Sequence, residues 1–137
     1  MIKSMSLYYP EKKKKLQQMC EYLNEKLEGK ADRVPPAYNP ENCRLVILAI
    51  ASGKEPTQEI IRFCRELNKK RAMNVAFIFD APTEAQNILI RACEEAGTTV
   101  IGDVLNVKTG GLFPAPFKAE DRKAADEWFE KIMEKIG

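Results

Sequence analysis

Apolar and polar positions along this chain switch repeatedly between a strand-like and a helix-like period. From Ile2 to Tyr9 they alternate loosely and end in two tyrosines, which predicts a strand. Pro10 follows, placed as in the first turn of a helix, and Leu16, Met19, Cys20, Leu23 and Leu27 recur at helical spacing until Gly29 closes the segment. Ala31 to Pro36 is short and ends in two prolines, so it is expected at a sheet edge. Arg44 to Ala51 is a continuous apolar run, the pattern of a strand covered on both faces. A helix with Ile60, Phe63, Cys64 and Leu67 on one side comes next, then a second covered strand from Asn74 to Phe79. Thr83 and Gln86 have the spacing of a capping box for a helix that turns Ala85, Leu89, Ala92, Cys93 and Ala96 inward and stops at Gly97. Thr98 to Val107 is the last predicted strand. A loop with Gly110, Gly111, Pro114 and Pro116 then leads to a helix carrying Ala125, Trp128, Phe129, Ile132 and Ile136.

This succession predicts the α/β class, with five parallel strands and helices on both faces of the sheet. A length of 137 residues suits one domain, spanning 1–137, with a substantial core. Glu55-Pro56-Thr57-Gln58-Glu59 and Ala81-Pro82-Thr83-Glu84-Ala85 echo each other, each after a covered strand, and read as repeated helix-start chemistry.

Charge narrows the partners. Lysine and arginine number 22 against 20 acids, a net +2, which argues against a nucleic-acid surface and a polybasic membrane face. No apolar stretch approaches the roughly 18–20 residues of a membrane span. The segment Met1 to Ser6 lacks the apolar core and cleavage site of a secretory signal. Cys20, Cys43, Cys64 and Cys93 form no C-x-x-C pair, and three fall on apolar helix faces, so reduced core thiols and a cytoplasmic setting are expected. Histidine is absent, which excludes His-dependent triads and His-ligated zinc.

The order and spacing of elements resembles a flavodoxin-like domain over nearly the whole chain. The resemblance is carried by the strand at 45–51, by Asn74-Val75-Ala76-Phe77-Ile78-Phe79, by Glu95-Ala96-Gly97-Thr98-Thr99-Val100-Ile101-Gly102, and by Ala124 to Ile132. It implies a three-layer α/β/α, doubly wound parallel sheet of strand order 2-1-3-4-5. Ligands would then be expected at the carboxyl ends of strands 1 and 3. It also implies FMN, held in that family by a hydroxyl- and glycine-rich loop after the first strand and by aromatic residues after the third and fourth.

Carried over position by position, that site is degenerate. The first loop is Tyr8-Tyr9-Pro10-Glu11, with no glycine, and Glu11 puts a carboxylate where an anion would sit. The other two loops, Ala51-Ser52-Gly53-Lys54-Glu55 and Asp80-Ala81-Pro82-Thr83, hold no aromatic residue. Candidate cofactor contacts are therefore Tyr8, Tyr9, Lys12, Ser52, Gly53, Lys54, Asp80 and Thr83. In the non-standard flavin site, Lys12 and Lys54 meet the phosphate and Tyr8 or Tyr9 the ring. Asp80 reads more simply as a cap or loop acceptor for the helix near Thr83. Lys12 to Lys15 reads as a solvated helix face, and one tyrosine and Trp128 as core.

Receiver domains share this winding but need acidic residues after strand 1 and an aspartate after strand 3, where Tyr8-Tyr9 and Ala51-Ser52 stand. A cobalamin domain needs a histidine, and a thiol enzyme needs a cysteine at a helix N-terminus or strand end. The expectation is a binding or interaction module with no catalytic residue, no metal and no cofactor, recognising a protein partner or a small anionic ligand. The alternative is an FMN-dependent electron carrier or reductase with unusual contacts.

Overall fold

The computed structural model describes residues 2–111 and 113–137. Met1, in the N-terminal segment, and Leu112, within the glycine-proline loop, lie outside the described residues. In chain order the elements are β1 (Lys3–Tyr9), α1 (Lys14–Asn24), β2 (Glu28–Arg33), β3 (Leu45–Ala51), α2 (Gln58–Arg65), β4 (Asn74–Asp80), α3 (Thr83–Ala96), β5 (Thr99–Val100), β6 (Leu105–Asn106) and α4 (Ala119–Ile136). The strands pair in the order β2-β1-β3-β4-β5, with β6 also on β4, and every strand pair is parallel. The α/β expectation therefore holds.

The apolar runs explain themselves in cross-section. Val46, Leu48 and Ile50 of β3 and Val75, Phe77 and Phe79 of β4 pack with Ile60, Phe63 and Cys64 of α2 and Leu89 and Cys93 of α3. The intervening Leu45, Ile47, Ala49, Ala76 and Ile78 pack with Leu16, Met19 and Leu23 of α1 and Ala125, Trp128 and Ile132 of α4. Successive strand residues point oppositely, so a strand with helices on both sides must be apolar throughout. Phe77 and Phe79 stack at 4.7 Å between ring centroids. All four cysteines are free and buried, as their positions predict, and burial raises the pKa of Cys20 and Cys43.

Several boundaries differ from the sequence expectation. Pro10 does not open α1; residues 10–12 turn, and the helix starts at Lys14. Gly29 does not close that helix, which ends at Asn24; it sits inside β2, opposite Ser4. The edge strand is real but begins three residues before Ala31, since the main chain pairs from Glu28 onward. The last strand, expected unbroken over 98–107, is split. Between Val75 and Ile78 of β4 lie two residues, and between their partners Val100 and Leu105 lie four. The surplus bulges out and interrupts the ladder.

The capping box at Thr83 is not formed either. Thr57 caps α2, its Oγ1 accepting from the Ile60 amide, whereas in the echoing segment Pro82 holds the cap position and Thr83 is already helical. Gln86 Nε2 instead donates to the Ala81 carbonyl and to Asn106 Oδ1, both at 2.9 Å. The same phrase is thus shifted by one residue relative to its helix.

Candidate functional site

Register brings the carboxyl ends of four strands to one edge. Tyr9 lies opposite Ile50, Ala51 opposite Asp80, and Phe79 opposite Asn106. The winding reverses between the neighbours β1 and β3, where open parallel sheets leave a crevice. Lys108, Thr109 and Gly110, which follow β6, lie against this edge, and they and the described residues up to 118 are termed the strap.

Three side chains tie the strap down. Asp80 Oδ2 accepts from the Thr109 amide at 2.9 Å and from the Thr109 hydroxyl at 2.6 Å. Lys13 Nζ donates to the Gly110 carbonyl at 2.9 Å. Lys15 Nζ donates to the Lys108 carbonyl at 2.8 Å and pairs with Asp121 Oδ1 of α4 at 3.1 Å. Lys15 and Thr109 are buried polar residues, so these bonds meet the need for partners that burial creates. Gly110 has φ +79, a conformation that glycine adopts freely, and bends the strap.

Asp80 therefore joins a strand end to the strap and does not cap α3. Ser52, Gly53 and Asp80 share an open pocket of about 310 Å³ with Lys13 and Thr109. Ser52 and Asp80 also border a neighbouring cleft of about 580 Å³ that reaches Lys15, Lys108 and Asp121. In this pocket the Ser52 amide donates to the Asp80 carbonyl at 3.0 Å, and its hydroxyl to the Gly53 carbonyl at 2.8 Å.

The other candidates are dispersed. Tyr8 is buried in the cluster beneath α1 and α4, and burial raises its phenol pKa. Tyr9 packs from the opposite face, and its hydroxyl lies 2.7 Å from Thr57 Oγ1. Lys54 is exposed, 3.9 Å from Glu84. Thr83 occupies the first turn of α3 and lines neither pocket. Lys12 faces a third cavity, between α1 and the strap.

Lys13, Lys15 and Asp121 escaped the sequence reading, where Lys12 to Lys15 was one solvated face. A signal for Lys15 was present. It precedes Met19 by four and Leu23 by eight, so it shares their inward side of α1. Asp121 is the third residue of α4, and its carboxylate also accepts from the Lys118 amide at 2.8 Å. Burial works against its ionisation, but the Lys118 N–H and the Lys15 ammonium outweigh this and lower its pKa.

No protein-family model matches the chain, and no curated protein matches it at a significant level. Among the described residues no group of histidine, cysteine, aspartate and glutamate side chains could hold a metal ion. No described helix is long and apolar enough to cross a membrane.

Proposed function

We propose that this chain is a flavodoxin-like domain, three-layered and doubly wound, that has lost the usual FMN site and serves as a cytoplasmic binding or interaction module. The observation that carries this reading is the engagement of Asp80, Lys13 and Lys15 by the protein's own strap. A ligand entering at the switch point would have to displace these bonds, and Lys15, the buried one of the three, would lose its partners at a cost on the order of 1–3 kcal/mol.

FMN fits the residues of this edge poorly. Its phosphate would need several amides aimed at one point. Pro10 has no amide hydrogen, the Lys13 amide is spent on the Pro10 carbonyl, and the Ser52 amide on Asp80. Its ring would need flat aromatic faces, but Tyr8 is buried and the loops after β3 and β4 have none.

Flavin fluorescence tests the reading. Titrating FMN against the whole chain is expected to leave the flavin bright, and the purified protein is expected to be colourless between 350 and 500 nm, roughly the flavin window. Saturable quenching at micromolar FMN would restore the electron-carrier alternative.

A further inference from the structure

We infer that the cavity between α1 and the strap is a binding site for a small molecule bearing several phosphate groups. This rests on the binding-module reading and says where its ligand sits and what it is made of. The cavity measures about 440 Å³, within the range of small-molecule sites. Lys12, Lys13, Lys14 and Lys15 stand along one side, Pro114 and Pro116 along the other, and among the described residues no carboxylate lines it.

That concentration does not follow from a basic protein, because the whole chain carries only +2. The acid next in sequence, Glu11, is held 3.7 Å from Arg33 Nε at the end of β2. Lys15 is answered by Asp121 and Lys13 rests on a neutral carbonyl. Lys12 and Lys14 are exposed and make no ion pair or hydrogen bond among the described residues. Three positive charges are thus left without a counter-charge around one concavity, which raises the local concentration of anions. The attraction comes from side-chain ammonium groups, compact point charges of the kind that pair with phosphate.

Spacing favours a compact polyphosphate over an acidic protein segment. Carboxylates on one face of an extended peptide recur only every second residue, about 7 Å apart. Lys12, Lys13 and Lys14 are consecutive and border a single cavity, so they suit charges crowded on one small ligand.

Calorimetric titration of inorganic tripolyphosphate into the whole chain, at about 0.1 M salt, tests this. Saturable binding is expected, weakened at least about tenfold in Lys12→Gln/Lys14→Gln, which alters only exposed side chains. The variant Lys3→Gln/Lys70→Gln removes the same charge at the amino end of the sheet, and there less than about a twofold loss is expected. Equal losses in both variants, or no saturation below about 10 mM, would overturn the inference. So would hexaglutamate binding more tightly than tripolyphosphate through Lys12 and Lys14, which would point to an acidic protein segment. Flavin quenching that survives Lys12→Gln/Lys14→Gln is a different failure: it defeats the module reading and leaves the tripolyphosphate result to stand or fall alone.

Discussion

Gly29→Ala is expected to lower stability by roughly 3 kcal/mol or more. Gly29 lies opposite Ser4 in the β1–β2 ladder. A methyl group added there would meet the Ser4 carbonyl oxygen at 1.7 Å and its carbon at 2.6 Å. Both are main-chain atoms of a paired strand, so neither can swing aside as a flexible side chain could. The strands must separate locally, and β2 has little else to hold it, since its residues are largely exposed. Urea unfolding followed by circular dichroism measures the loss. A midpoint unchanged from the parent protein would show that β2 does not pair with Gly29 opposite Ser4.

Lys15→Met is the second large effect. Methionine keeps the length and apolar stem of the side chain, so the core beneath α1 stays filled. Asp121 Oδ1 loses its cation and the Lys108 carbonyl its donor, while the Lys118 amide still reaches Asp121 Oδ2. Breaking a fully buried pair costs about 3–5 kcal/mol; Asp121 is 22% exposed, and water there reduces the expected loss to roughly 2–3 kcal/mol. Lys15→Met/Asp121→Asn should recover part of it, because the stranded charge is gone.

The pH dependence has a definite sign. A carboxyl with a lowered pKa stabilises the fold above its unfolded value, 3.8, and this contribution is lost as pH falls through the folded value. The gap in stability between parent and Lys15→Met is therefore constant near neutrality and narrows below pH 3.8. A gap that widened on acidification would contradict the Lys15–Asp121 pairing.

Hydrophobic patterning revealed the sheet far better than the site, for a physical reason. The runs at 45–51 and 74–79 are apolar because their alternate residues pack into two core clusters, so sequence and burial carry one message. The break between Val100 and Leu105 was hidden, because a bulge changes pairing without changing hydrophobicity. Gly29 misled because a glycine after a helix and a glycine at a close strand contact look alike in one dimension. At the carboxyl edge, the element order brings the loops holding Ser52, Gly53 and Asp80 side by side. What Asp80 does there was not legible: its partner Thr109 lies 29 residues on, in a strap whose path no local pattern fixes. The same holds for Lys13 with Gly110 and Lys15 with Lys108, separated by 97 and 93 residues.

Whether the switch-point crevice is engaged by the chain's own strap or by flavin is decided by hydrogen exchange at the Thr109 amide, with and without millimolar FMN. A slowly exchanging amide, donated to Asp80 and unmoved in rate or chemical shift by FMN, is the predicted result. An amide that exchanges as fast as an open loop, or that responds to FMN, would contradict the proposed module.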